Sequence, residues 1–293
     1  MQKSMKQFRV PSLLLLNQPA VDYEVPLFEK GDRIPKIIHQ TYHSTVLPQE
    51  LAENIAALKA MNPGWEFRLY DDHDIEKFIA ENYGDKILAV YHRINPHYGA
   101  ARADFFRYLL IYRVGGVYLD IKSTAIRPLD EVILPDDQLI LSHWGAKFSP
   151  AGRHPQDFRN EIEEGEYQQW HIMSIPGHHY IRQVIQFVMR NIDHYIPSVH
   201  GRGKHGVLRV TGPIAYTLAV HPLLPMKKHR LVRCHEDIGL VYSIFKGREH
   251  HRLFKKNYRT LTEPVVQARL PRQILSALHD RFDYVRRVLA KVS

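Results

Sequence analysis

The segment from residue 100 to residue 123 constrains the fold more than any other part of the sequence. Residues 100–114 are strongly apolar and predict a helix, and Gly115-Gly116 is a typical signal for the end of a helix. Residues 117–121 then predict a buried strand, with Asp120 near its carboxyl end. A helix that leads through a glycine turn into a buried strand indicates an α/β domain, in which ligands collect where strands end.

The flanking sequence alternates strands and helices in the same way. Residues 34–43 predict a short buried strand, and residues 47–61 have apolar side chains at helical spacing. A second strand follows the turn at Asn62-Pro63-Gly64, and we expect Asp72 or Asp74 to cap the helix after it. Further along we predict a helix over 180–192, a short strand over 207–210 and a helix that begins at Pro213. The pattern predicts an α/β fold with a central sheet flanked by helices.

The charge balance narrows the range of partners. The chain has 40 Lys and Arg against 31 Asp and Glu, a formal charge of +9. This favours an anionic partner: a nucleotide diphosphate, an anionic membrane surface or nucleic acid. We expect no nucleic-acid partner, because the basic residues are scattered and form no recognised binding motif.

Targeting and redox signals are few. The single cysteine, Cys234, excludes an internal disulfide and a C-x-x-C site, and it favours a reducing compartment. The apolar run at residues 13–16 is too short for a membrane span.

Two charged residues interrupt the apolar helix. Asp104 and Arg107 are three residues apart, so they project from the same helix face. Taken alone, the pair is typical of a structural ion pair at the helix surface. However, Asp120 follows 16 residues after Asp104, at the end of the buried strand.

The string ARADFFRYLLIYRVGGVYLD, residues 101–120, resembles the core of the glycosyltransferases that contain a D-x-D sugar-binding region. This is the family of initiating α-1,6-mannosyltransferases and capsule enzymes, and large clostridial glucosylating toxins share a similar core. The resemblance extends from Ile34 to about Val266. It implies a GT-A fold with a central mixed, mostly parallel sheet and a cleft at the carboxyl ends of the strands.

The resemblance also implies roles for single residues. Asp104 and Arg107 match the positions that hold the hydroxyls of the donor sugar. Asp120 matches the first Asp of D-x-D, which contacts the ribose and the metal-diphosphate unit, and Tyr118 lies beside it. The region that holds the nucleotide base corresponds to His39, Gln40, Thr41 and Tyr42. For Tyr42 we weigh stacking on the base against a place in the core. We further expect Gln169 and Thr211 to face the cleft.

The sequence departs from the family pattern at Lys122, which stands where the second Asp of D-x-D is expected. The resemblance implies a divalent cofactor, Mn²⁺ or Mg²⁺, and we take Asp120 and His251 as its candidate ligands. Lys122 has two interpretations. Its ammonium lies near the diphosphate and neutralises part of the charge, or it is a solvated lysine at a strand end.

The ends of the chain carry separate expectations. We predict an irregular leader over 1–33, a glycosyltransferase domain over 34–268 and an amphipathic basic helix over 269–293. Apolar residues at helical spacing alternate with Arg and Lys in 271–293. This helix either docks on an anionic membrane or packs on the domain with a solvated face.

The predicted reaction, implied by the resemblance, is transfer of a hexose from a UDP- or GDP-sugar to a hydroxyl of a glycan or lipid-linked glycan, with retention. The alternatives are a degenerate protein that binds sugar nucleotides without turnover and a basic nucleic-acid-binding protein. The predicted location is the cytoplasm, with peripheral contact at the inner face of the membrane.

Overall fold

The structure is a computed structural model that describes residues 23–144, 162, 165–226, 228–246 and 258–267. In chain order the strands are β1 Ile37–Thr41, β2 Glu66–Tyr70, β3 Gly116–Leu119, β4 Thr124–Ala125, β5 Leu139–His143, β6 His171–Ser174, β7 Arg230–Arg233 and β8 Leu240–Val241. The α-helices are α1 Gln49–Met61, α2 Asp72–His92, α3 Gly99–Val114, α4 Leu129–Val132, α5 His179–Asp193, α6 Pro197–His200, α7 Gly203–Val210 and α8 Pro213–Val220. Two short 3₁₀ helices cover His221–Met226 and Tyr258–Thr260.

Six strands form one mixed sheet in the order β2-β1-β3-β6-β5-β7. Within the described part of the chain, the parallel pairs are β1 with β2, β1 with β3, and β5 with β7, whereas β6 runs antiparallel to β3 and β5. The predicted mixed, mostly parallel sheet is therefore confirmed. Since β1 and β3 are parallel, their carboxyl ends meet at one edge, and β6 begins at that same edge.

Helices cover both faces of the sheet, as the alternation of strands and helices predicts. Successive side chains of β3 point to opposite faces. Tyr118 packs into the cluster built by α3, α5 and α8, whereas Val117 and Leu119 pack into a second cluster with Leu58 of α1 and Leu129 of α4. The charged residues of α3 therefore face the same side of the sheet as Tyr118.

The Gly115-Gly116 turn is what brings α3 back against β3. Both glycines have positive φ, 71° and 93°, a region that side chains with a Cβ rarely adopt. A Cβ on Gly116 would lie 2.7 Å from the carbonyl oxygen of Ile37. The predicted helix and strand are both present, but β3 ends at Leu119. Asp120 starts a turn instead, closed by a 2.8 Å hydrogen bond from the Ser123 amide to the Asp120 carbonyl.

Two local predictions are corrected. The cap of α2 is Asp71 rather than Asp72 or Asp74: its side chain accepts from the amides of His73 and Asp74, and Asp74 closes a capping box. Residues 207–210 belong to helix α7 rather than to a strand. Short apolar runs do not separate a buried strand from a buried helix turn, and the packing of α7 against its neighbours decided between them.

The segment Gly203–Pro225 is long and apolar enough to cross a membrane by length and composition. Half of its most apolar window is buried inside the domain, and α7 ends at Val210 before α8 begins at Pro213. This arrangement is typical of core helices.

The predicted domain boundaries are described only in part. Residues 23–33 contain no helix or strand, and Val25 among them is buried against the domain. Residues 1–22 and the predicted basic helix over 269–293 lie outside the described residues.

Candidate functional site

Asp104 and Arg107 form an ion pair inside the protein. Arg107 Nη2 is 3.1 Å from Asp104 Oδ1, and the two side chains are only 4% and 6% exposed, respectively. A buried charge is costly unless partners replace the water that it loses. The pair is therefore not the solvent-exposed ion pair that helix spacing alone predicts.

Arg107 connects α3 to the edge of the sheet. Its Nη2 also lies 3.0 Å from Oδ1 of Asp120, and its Nη1 donates a 2.8 Å hydrogen bond to the carbonyl oxygen of Gln169. The guanidinium lies over the ring of Tyr118, 4.6 Å from its centroid. A planar guanidinium can serve several acceptors at once because its N–H groups point outward in a fixed fork. Arg107 thus fixes Asp120 relative to α3.

Asp104 has further partners from distant parts of the chain. Gln169 Nε2 donates to Oδ1 at 3.1 Å, and Thr211 Oγ1 donates to Oδ2 at 3.0 Å. Tyr108, one helical turn after Asp104, donates to the carbonyl oxygen of Thr211 at 2.8 Å. Burial raises the pKa of Asp104, and Arg107 opposes that rise. Gln169 and Thr211, which sequence reasoning placed at the cleft, therefore meet at Asp104.

Asp120 is the most exposed carboxylate of this group, at 22%. Its Oδ2 lies 3.8 Å from Nζ of Lys122, a distance that leaves an ionic contact without a hydrogen bond. Lys122 donates to the hydroxyl of Tyr242 at 2.9 Å and lies 4.0 Å from the centroid of that ring. Burial disfavours the ammonium, but Tyr242 and Asp120 outweigh it and raise the pKa of Lys122. The Lys122 side chain is therefore charged, and its contacts with Tyr242 restrain its position.

His39 has structural contacts at both ring nitrogens. Nε2 donates to the carbonyl oxygen of Gly115 at 3.0 Å, so Nδ1 accepts from the hydroxyl of Tyr70 at 3.1 Å. Burial lowers the pKa of His39 to about 4, which leaves the ring neutral at pH 7. His39 ties β1 to β2 and to the glycine turn. Its contact with a nucleotide stays a prediction.

The other three residues of the HQTY segment line the edge near Asp120 to different degrees. Gln40 Nε2 donates to the carbonyl oxygen of Asp120 at 3.3 Å, and the Thr41 hydroxyl lies 2.9 Å from that of Tyr118. Tyr42 packs in an apolar cluster with Leu51, Ile55 and Ile121. This position favours the core interpretation of Tyr42, and stacking on a base stays a prediction.

Sequence reasoning missed two tyrosines of this site. Tyr108 is four residues after Asp104, so the helical period contained the signal that the two share a face. Tyr242 is 120 residues from Lys122 and follows a two-residue strand, β8. No local pattern in the sequence marks it.

The residues that the structure describes around Asp120 do not fit a divalent metal ion. One oxygen of Asp120 faces Arg107 and the other faces Lys122, so an added cation would meet two positive charges within about 4 Å of that carboxylate. Across these same ranges, no group of three or more His, Cys, Asp and Glu side chains is arranged to hold a metal. His251, the other predicted ligand, lies outside the described residues.

Comparison with known proteins points to one family. Residues 48–140 match the glycosyltransferase sugar-binding region containing the DXD motif. The chain is 28% identical over 156 residues to inositol phosphoceramide mannosyltransferase 1 of Schizosaccharomyces pombe, covering 50% of this chain and 46% of that protein. It is 25% identical over 228 residues to the initiation-specific α-1,6-mannosyltransferase of Candida albicans, covering 72% of this chain and 58% of that protein.

Among solved structures, the PaToxG glycosyltransferase is similar with a TM-score of 0.46 at 15% identity, covering 66% of this chain and 71% of that chain. The chain spans about half the length of the curated relatives it matches. The matched region contains α3, the glycine turn and Asp120, which are the parts that assemble the charged cluster. Through residues 48–140, the chain is similar to the glycosyltransferases whose sugar-binding region contains the DXD motif.

Proposed function

We propose that this protein transfers a hexose from a nucleoside-diphosphate sugar, UDP- or GDP-linked, to a hydroxyl of a glycan or lipid-linked glycan. The observation that carries the proposal is the bridge that Arg107 makes between Asp104 and Asp120, within 3.1 Å of both carboxylates. The bridge stands at the edge where β1 and β3 end, the place where ligands bind in such sheets.

The chemistry of the cluster suits a sugar diphosphate. Carboxylate oxygens accept from sugar hydroxyls and the guanidinium donates to them, so Asp104 and Arg107 together can read a hexose. We assign to Asp120, the more exposed carboxylate, the role of accepting a hydrogen bond from a ribose hydroxyl. The departing diphosphate gains negative charge, which fixed cations at this edge stabilise.

The names of the relatives guide the choice of sugar. The fungal proteins are mannosyltransferases by name, so GDP- and UDP-linked mannose head the donor panel. Retention of configuration follows from the family resemblance, and we assign no residue as a covalent nucleophile. Cytoplasmic location and membrane contact through residues 271–293 remain proposals that rest on the sequence.

A second candidate is a degenerate transferase that binds the donor without turnover. Lys122 at the second DXD position favours it, because a carboxylate that the family motif contains is absent there.

A donor panel tests the proposal. We expect one nucleotide sugar to raise the melting temperature of the full chain, because only a ligand that binds the folded state stabilises it. Arg107→Lys keeps the charge and loses the fork, so donor affinity should fall roughly 10- to 100-fold, the equivalent of one charge-assisted hydrogen bond. Arg113→Lys is the matched control, since Arg113 is exposed at the end of the same helix.

Transfer assays with the stabilising donor then separate the candidates. Release of nucleoside diphosphate together with glycosylated acceptor supports the transferase. Donor binding without turnover across an acceptor panel supports the degenerate protein. Absence of binding by every nucleotide sugar contradicts both.

A further inference from the structure

Lys122 lies in the turn that follows β3, where specific contacts fix the position of its side chain. Nζ donates to the Tyr242 hydroxyl at 2.9 Å and stands 4.0 Å from the centre of the same ring, and the side chain is 11% exposed. The alternative interpretation, a solvated lysine at a strand end, would not predict these contacts with Tyr242. The ammonium is therefore oriented before any ligand arrives.

The backbone around Lys122 fixes Tyr242 in turn. Ser123 Oγ donates to the carbonyl oxygen of Tyr242 at 2.9 Å, and the Ile244 amide donates to that of Lys122 at 2.9 Å. β4 and β8 pair on the other side of these contacts, with Thr124 opposite Val241. The Tyr242 ring also meets two tryptophan rings edge-on, at 5.3 and 5.5 Å. Lys122 and Tyr242 are thus fixed relative to each other by several hydrogen bonds.

Lys122 has donor capacity left for a ligand. An ammonium has three N–H donors. Among the contacts of the described residues, one donor is used, on Tyr242, while the Asp120 oxygen at 3.8 Å is beyond hydrogen-bond distance. Arg107 already serves Asp120 at 3.0 Å, so Lys122 is not needed to pair that carboxylate.

The charges of the cluster balance without a metal ion. Asp104 and Asp120 are matched by Arg107 and Lys122, so the four groups are neutral together. An aspartate at position 122 would leave the same four positions with a charge of −2. That is the charge a divalent cation complements, and the lysine at this one position removes the need for it.

We propose that Lys122 binds the diphosphate of the donor with its ammonium and replaces the divalent cation, so that donor binding by this chain is independent of metal. The inference rests on the proposed function, since it presupposes a nucleoside-diphosphate donor. In the transfer step, the bond between the anomeric carbon and the diphosphate oxygen breaks and its electron pair stays on that oxygen, beside Lys122. The acceptor oxygen bonds to the anomeric carbon and its proton passes to the released diphosphate.

Calorimetric titration of the full chain with UDP and GDP tests the proposal. The titrations are made in excess EDTA and again with about 1 mM Mn²⁺ or Mg²⁺, a concentration near the dissociation constants of weak divalent-cation sites. We expect the dissociation constant for the bound nucleotide to change less than about twofold between the two conditions, and Lys122→Met to weaken binding by roughly tenfold or more in both.

Lys122→Asp gives the sharper result. It restores the second carboxylate of the motif, so we expect weak nucleotide binding in EDTA and recovery when Mn²⁺ is added. Lys59→Met is the matched control, because Lys59 also lies over an aromatic ring, that of Phe67 at 4.8 Å, on a different part of the fold. Thermal unfolding of each variant checks that it is folded.

The outcomes distinguish the role of Lys122 from the proposed transferase function. Wild-type binding that appears only with a divalent ion, or that Lys122→Met leaves intact, overturns the role of Lys122 and keeps the transferase. Binding of no nucleotide in either condition overturns the proposed function and this inference with it.

Discussion

At the scale of single residues, the site is a problem of buried charge. Asp104 sits in the interior and draws hydrogen bonds from Gln169 and Thr211 in addition to its ion pair with Arg107. A buried carboxylate that loses one donor leaves a lone pair without water or protein to satisfy it, which costs more than the bond itself contributes. The partners of Asp104 are thus structural requirements as well as parts of a binding site.

Replacement of Thr211 measures this requirement. Thr211→Val keeps the shape and removes the hydroxyl that donates to Asp104, so we expect the free energy of unfolding to fall by about 1–3 kcal/mol. Thr211→Ser keeps the hydroxyl and should lose less. Urea denaturation at pH 7 compares the two, and equal losses would contradict the assigned hydrogen bond.

At the scale of elements, the turn between α3 and β3 decides whether Arg107 can reach Asp120. The turn is tight because two consecutive glycines take positive φ, and the second lies against the backbone of β1. The connection between α3 and β3 is therefore short, and its geometry is fixed by the turn rather than left to a flexible loop. The site depends on this turn although no atom of it needs to touch a ligand.

Substitution of the second glycine tests that dependence. In Gly116→Ala the new Cβ would lie 2.7 Å from the Ile37 carbonyl oxygen at a φ of 93°, so we expect a loss of more than about 1 kcal/mol of stability. Gly64→Ala is the control, because nothing lies within 4 Å of its added Cβ. Chemical denaturation of both variants gives the comparison, and a stable Gly116→Ala protein would show that the turn tolerates a side chain.

At the scale of the whole molecule, buried histidines make stability depend on pH. Burial lowers the pKa of His39 to about 4 and that of His171 to about 3, against about 6.5 in the unfolded chain. The unfolded state therefore binds these protons first as the pH falls. The contribution to stability is complete above pH 6.5 and is lost progressively between pH 6.5 and the folded pKa values.

Denaturation at several pH values tests this. Between pH 7 and pH 5 we expect each of the two histidines to remove about 2 kcal/mol from the free energy of unfolding. His171→Gln should reduce the loss of unfolding free energy between pH 7 and pH 5 by about 2 kcal/mol, the contribution of one histidine. This holds whatever the substitution does to stability at pH 7. The slope within each protein is the readout, so a general loss of stability in the variant does not hide the result. An unchanged slope would contradict the burial of a neutral His171.

Much of the fold was predictable from the sequence, and so were the members of the charged cluster. The apolar helix over 100–114, its glycine stop and the strand after it are confirmed within one or two residues. Residues 207–210 were wrongly predicted as a strand, because four apolar-rich residues fit either structure until their neighbours are known. Tyr242 could not be predicted, since it meets Lys122 across 120 residues of chain.

The sequence by itself determined which charged residues this protein places near the end of β3, because helical period and glycine stops act between residues that are close in the chain. Only the tertiary structure decided what those charges touch. Asp104 meets donors 65 and 107 residues away, and Lys122 meets Tyr242, which follows β8 and is 120 residues away. The reason is physical: a buried charge is stabilised by whichever partners folding brings into contact, and sequence separation does not enter that energy.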